Sequence, residues 1–194
     1  MTEPEGDAAL FARLETTWEQ RWPGVLPALD ARKPTDRWVR FHSLPGSKRY
    51  ADTDEEHAEI LRRHHAVLVD LMRDSVTDLL VICADWGERD LAHGWHRSIL
   101  PTARYWTSVQ SDPEEGTLAM LYVDTSFESL ASLDALLRAV ADDATGPVLL
   151  TPATFEWRYQ PYDGGADVIA RSIEERDRLA AGFAAWLSAR EDGL

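Results

Sequence analysis

Asp78-Leu79-Leu80-Val81-Ile82-Cys83-Ala84 is apolar at every position after the first. A run this short and this evenly apolar, with β-branched Val81 and Ile82 at its middle, reads as a strand buried on both faces at the centre of a sheet. Such a strand needs neighbours on either side and helices above and below. The flanking sequence supplies both. Upstream, Thr53-Asp54-Glu55-Glu56 opens a helix, with Thr53 placed to cap it and Glu56 to reach back as a capping box. Ile60, Leu61, His64, Val67, Leu68, Leu71 and Met72 then fall on one stripe to about Arg73.

Before that helix, Arg37-Trp38-Val39-Arg40-Phe41-His42 alternates in the manner of a strand and stops at Ser43-Leu44-Pro45-Gly46. Leu10, Phe11, Leu14, Trp18 and Trp22 recur at helical spacing until Pro23-Gly24. Downstream, residues 85–101 show no period and read as a loop with at most a helical turn. Ala103 to Gln110 and Thr117 to Asp124 read as strands joined by Ser111-Asp112-Pro113-Glu114-Glu115-Gly116, a polar turn, hence an antiparallel hairpin. From Ser126, a stripe through Phe127, Leu130, Leu133, Leu136, Leu137 and Val140 predicts a helix that ends before Gly146-Pro147.

Val148-Leu149-Leu150, Phe155 to Tyr159 and Ala166 to Ile169 return to strand, the last two separated by the turn Tyr162-Asp163-Gly164-Gly165. Ser172 and Glu175 form a second capping box before a final helix carrying Leu179, Phe183, Trp186 and Leu187. The fold predicted is α+β: a single mixed, largely antiparallel sheet of five to seven strands covered by about four helices. One domain spans residues 1–194, with 1–6 as a flexible terminus.

Composition narrows the function classes. Acidic residues outnumber basic ones 34 to 20, a formal net charge of −14. Nonspecific binding to nucleic acid or an anionic membrane needs a basic face, so neither is expected as a partner, whereas a basic protein is. The amino terminus is acidic and polar, and no apolar run approaches the ~20 residues that span a bilayer, so the expected compartment is the cytoplasm. The lone Cys83 lies in the apolar run and reads as a core residue. No cofactor is expected.

Two segments resemble known sequences. Arg40-Phe41-His42-Ser43-Leu44-Pro45-Gly46-Ser47-Lys48-Arg49-Tyr50, with Pro161-Tyr162-Asp163-Gly164-Gly165-Ala166-Asp167-Val168-Ile169, is similar to a group of uncharacterised bacterial proteins bearing a His-Ser-Leu-Pro-x-Ser-Lys-Arg-Tyr stretch. The second segment also resembles a Tyr-Asp-Asp-Arg-Gly-Met-Asp stretch of a larger bacterial family, with Gly164-Gly165-Ala166 in place of Asp-Arg-Gly-Met. Neither resemblance implies a function.

Ser47, Lys48 and Arg49 place a hydroxyl, an ammonium and a guanidinium before a helix amino terminus, donors suited to an anion. Lys48 and Arg49 are equally placed to pair with Asp52, Asp54 and Glu55, and the loop lacks the glycine spacing of a P-loop. His42 could serve as base to Ser43 or Ser47, or simply pack at a strand end. His93 and His96 lie near Asp85, Glu88 and Asp90, but without ligand spacing they read as surface loop, and no metal is expected. His64 reads as a hydrogen-bonded helix residue, with His57 and His65 facing water. Of the tryptophans, Trp86, Trp95 and Trp106 are expected to be more exposed than Trp18, Trp38, Trp157 and Trp186.

The functional expectation is a protein-binding module, an immunity-type inhibitor or a regulator, because charge and size fit and no catalytic signature stands out. The alternative is a small enzyme or ligand-binding domain that takes an anionic small molecule among Arg40, His42, Ser47, Lys48, Arg49, Tyr162 and Asp163. That alternative requires the two resembling segments to meet at one pocket.

Overall fold

The computed structural model describes residues 4–30, 35–73, 78–86, 94–112, 114 and 116–188. The chain order is α1 Pro4–Arg21, β1 Trp38–His42, α2 Asp54–Met72, β2 Leu79–Trp86 and α3 His96–Ile99. It continues with β3 Arg104–Asp112, β4 Thr117–Asp124, α4 Asp134–Ala141, β5 Val148–Pro152, β6 Arg158–Tyr162, β7 Gly165–Ile169 and α5 Ile173–Gly182. Helix α1 begins at Pro4, ahead of the apolar period that starts at Leu10.

The strands form one sheet in the order β1-β7-β6-β5-β2-β4-β3. The α+β class therefore holds, with the strand count at the top of the expected range. All six neighbouring pairs are antiparallel. No parallel pairing contributes, because β4 and β5, which run in the same direction, are held apart by β2 between them.

Residue parity along β2 explains how both sheet faces are covered. Leu79, Val81 and Cys83 point to a core shared with Val67, Leu68 and Leu71 of α2, Leu136, Leu137 and Val140 of α4 and Leu179 of α5. Leu80, Ile82 and Ala84 point the other way, to a core closed by Leu14 and Trp18 of α1 together with Trp22. Leu14, Trp18 and Trp22 stand four residues apart, so one helical face meets the sheet. Trp106 is buried in this second core, contrary to expectation. Its strand β3 runs under α1, and its indole N–H donates to the Phe11 carbonyl at 3.3 Å. Trp86 is 45% exposed, as expected, while Trp95 is half-buried.

Both capping boxes form, one residue displaced. Thr53 Oγ1 accepts from the Glu56 amide at 3.3 Å, while Glu56 Oε2 accepts from the amide of Asp52, the residue before the cap, at 2.6 Å. Ser172 and Glu175 repeat the pattern, with Glu175 Oε2 on the Arg171 amide at 2.8 Å. Several strand and helix limits differ from the sequence reading, α5 among them, which ends at Gly182 so that Phe183 caps it and Trp186 lies in a 3-10 turn. Phe155 takes a φ of 52° and its carbonyl accepts the Trp22 indole N–H at 2.9 Å, so β6 starts only at Arg158. The Asp124 carboxylate accepts from both the amide and hydroxyl of Ser126, which turns the chain, so α4 starts at Asp134 after a 3-10 turn at Leu130–Leu133. Among the described residues no helix is long and apolar enough to cross a membrane.

Candidate functional site

The two resembling segments meet. β1 and β7 are adjacent, and their register sets His42 opposite Gly165 and Arg40 opposite Asp167. The main chains continue in contact past the strand end, where the Ser43 amide donates to the Gly164 carbonyl at 3.0 Å. Glycine at 165 is a steric requirement, since a Cβ there would lie 2.0 Å from the Phe41 carbonyl oxygen. Side chains complete the junction. Arg49 Nε and the Tyr50 hydroxyl both donate to Asp163 Oδ2, at 2.5 and 2.8 Å. Arg40 lies over the Tyr162 ring at 5.1 Å and grips Asp167 with two parallel hydrogen bonds of 2.8 and 2.9 Å.

Every cation of the candidate set is therefore committed to a carboxylate. Lys48 Nζ donates to Asp52 Oδ2 at 2.7 Å and to both oxygens of Glu56, at 2.5 and 2.6 Å. Hydrogen bonds to these carboxylates, to Asp52 first, hold the Lys48 ammonium above its ordinary range, and Asp163 does the same for Arg49. Ser47 is exposed on the 3-10 turn Pro45–Ser47, with a left-handed φ of 57°. It belongs to the loop but not to the groove described next.

That groove has a volume of about 530 Å³. Arg49, Tyr162, Asp163 and Asp167 line it from the junction, and Trp86, Asp143 and Gln160 line it from β2, the turn after α4 and β6. Its walls carry three carboxylates against one guanidinium, and Asp143 is exposed. Exposed Trp86 and the acidic pair Asp142-Asp143 can be picked out in the sequence, but their meeting with Asp163 cannot, because the strand order that brings them together joins residues far apart in the chain.

His42 does not reach the hydroxyls proposed for it. Ser43 Oγ instead meets Nε2 of His64 at 3.2 Å, and His64 Nδ1 meets the Tyr159 hydroxyl at 2.5 Å. All three residues are buried, and burial holds the His64 imidazole down at about 3, so it is neutral. One ring N–H then donates to one hydroxyl oxygen and the other ring nitrogen accepts from the second hydroxyl. His64 is the hydrogen-bonded helix residue that its place on the stripe predicts. His42 is also held below its ordinary value, first by burial and then by the charge of Arg40. His57 and His65 are half-buried and pair with Asp142 and Asp134, at 2.9 and 2.8 Å, rather than simply facing water.

Glu88, Asp90 and His93 lie outside the described residues. His96 is no surface residue. It is 3% exposed, with Nδ1 on Asp85 Oδ2 at 3.0 Å. Among the described residues no three of His, Cys, Asp and Glu are grouped to hold a metal ion. Cys83 is buried, and desolvation pushes its thiol far above the ordinary range, which suits a core side chain.

No curated protein and no solved structure matches the chain. A family model described as a domain of unknown function (DUF3885) matches residues 31–191, from before β1 to beyond α5 and across the whole junction. The chain belongs to the DUF3885 family.

Proposed function

We propose that this protein is a binding module that engages a basic protein partner through the groove between the β1–α2 loop, the β6–β7 turn and the turn after α4. The observation that carries the reading is the pair of exposed side chains on the groove wall, the Asp143 carboxylate and the Trp86 indole, since Asp163 and Asp167 are already paired with Arg49 and Arg40. A carboxylate-lined recess with an indole at its rim suits a lysine or arginine side chain, which gains both ion pairing and a cation–π face. The surrounding excess of acidic residues favours fast, salt-sensitive association with such a partner. An inhibitor or regulator of a basic protein works in this way.

The reading in which an anionic small molecule sits at Ser47, Lys48 and Arg49 is supported by the meeting of the two segments. It is disfavoured by the pairing of Arg40, Lys48 and Arg49 with Asp167, Asp52, Glu56 and Asp163. An incoming anion would have to displace these carboxylates in an acidic protein.

The test is affinity capture from native lysate with mass spectrometry at low and moderate salt, comparing wild type with Asp143→Lys and Trp86→Ala. Both altered side chains are exposed, so the fold should persist. The expected result is one basic, stoichiometric partner at low salt, reduced by moderate salt and lost in Asp143→Lys. A partner retained by both variants, or no basic partner at either salt, overturns the assignment.

A further inference from the structure

A second recess lies between α3 and the strands β3 and β4. It has a volume of about 240 Å³, and His96, Arg97, Leu100, Ala103, Tyr105 and Tyr122 contribute to its wall. Its floor is built tightly. The His96 ring stacks on Tyr122 with centroids 3.9 Å apart, and Asp85 fixes His96 through Nδ1. The backbone passes so close at Gly94 that a Cβ there would fall 2.4 Å from the Asp85 carboxylate and 2.5 Å from His96 Cε1. Only glycine lets the chain close over this pair.

What distinguishes the recess is a set of polar side-chain atoms that open onto it without a protein partner. His96 is 3% and Tyr122 6% exposed, yet among the described residues neither His96 Nε2 nor the Tyr122 hydroxyl has a hydrogen-bond partner. Neither atom is sealed from solvent, and a few polar groups converging on a concave recess are what orient a small ligand. Arg97, exposed at the wall, has no ion pair among the described residues, although most of the other arginines at the two sites are bound to carboxylates. Leu100 and Ala103 supply apolar wall.

We propose that this recess binds a small organic carboxylate. Arg97 supplies the positive charge, and the Tyr122 hydroxyl donates a hydrogen bond. Asp85 holds His96 through Nδ1, so that its ring, stacked on Tyr122, forms a fixed floor for the ligand. Leu100 and Ala103 receive the apolar part of the molecule. The volume of about 240 Å³ limits the ligand to a compact acid. Burial raises the Tyr122 phenol above its ordinary value, so it remains a donor at neutral pH. No residue lines both this recess and the acidic groove, and the site does not depend on the partner-binding reading.

The experiment is an NMR titration following the His96 imidazole and Tyr122 ring resonances, with benzoate, acetate and uncharged benzamide as probes. Saturable shifts with at least one of the two carboxylates are expected, with benzamide about tenfold weaker or worse. Arg97→Ala should weaken carboxylate binding about tenfold, and Tyr122→Phe, which keeps the ring stack, should weaken it several-fold. Asp143→Lys, in the groove, should leave it unchanged. Failure of both carboxylates to saturate the shifts in wild type overturns the assignment. So does binding equal to wild type in both Arg97→Ala and Tyr122→Phe, or equal binding of benzamide and benzoate.

Discussion

The junction of β1, β7 and their loops and the recess under α3 are both rich in polar side chains, and they use them in opposite ways. At the junction, Arg40, Lys48 and Arg49 each face a carboxylate, and Asp163 and Asp167 receive donors from two neighbours apiece. Under α3, His96 Nε2 and the Tyr122 hydroxyl open onto the recess without a protein partner, and Arg97 has no counter-ion, among the described residues. A saturated network holds elements together, whereas an unsaturated one that the fold nevertheless maintains is available to something else. The contrast assigns the resembling Ser-Lys-Arg and Tyr-Asp-Gly-Gly stretches chiefly to architecture. The two proposed binding sites are the open wall beside them and a recess that the sequence does not advertise.

The largest expected effect tests the structural side of this contrast. Asp167→Ala removes both bonds to Arg40 and the 3.0 Å bond from the Trp38 indole, and leaves a guanidinium 12% exposed with no acceptor. The expected loss is about 3–5 kcal/mol in urea unfolding, the range for breaking a buried pair from one side. A loss below about 1 kcal/mol would show that the junction is not a structural tie.

A second test uses the neutral network beneath the junction. His64 titrates at about 3 in the folded protein and near 6.5 when unfolded, so below 6.5 the unfolded chain binds the extra proton. Its contribution is fully present above pH 6.5 and is lost as pH falls from there towards 3, at up to about 1.4 kcal/mol per pH unit. His42, also held low, adds in the same direction. Urea midpoints of wild type between pH 7 and 5 should fall, and His64→Gln should flatten that fall. Parallel slopes would mean that His64 titrates normally.

The smaller effects probe the other side. Tyr122→Phe deletes a hydroxyl with no protein partner, so stability should stay within about 0.5 kcal/mol of wild type, whereas carboxylate binding drops. A large destabilisation would reveal a structural bond for that hydroxyl. Lys48→Ala, which removes a surface ion pair, should not move the melting temperature measurably.

Much of the fold was legible in local signals. Thr53 with Glu56, Ser172 with Glu175, the even apolarity of 79–84 and the polar turn between β3 and β4 are each read within a few residues of one another, and each has its expected outcome. Phe155 and Trp157 alternate like strand residues but reach opposite cores from a turn, because a left-handed φ at Phe155 reverses the pattern. The sites were less legible for a related reason. Arg49 and Asp163 are separated by 114 residues, and nothing local to either reports the other. Asp85 and His96 are only 11 apart, but the intervening stretch has no period to place them. The pairing of Lys48 with its own loop and helix could be read, since its acceptors lie four and eight residues away.

The position of β1 at the sheet edge, bonded only to β7 within the sheet, fixes the order in which this molecule can be assembled. The Arg40–Asp167 contact spans 127 residues, so β1 has no strand to join until nearly the entire chain has left the ribosome. Closing so long a loop is entropically slow, and the hairpin β3–β4 and helix α2 can form first. The groove proposed for the partner is bounded by that final pairing. A nascent or truncated chain lacking β7 therefore lacks the groove, and under the proposed function it would not take the partner until that late pairing is made.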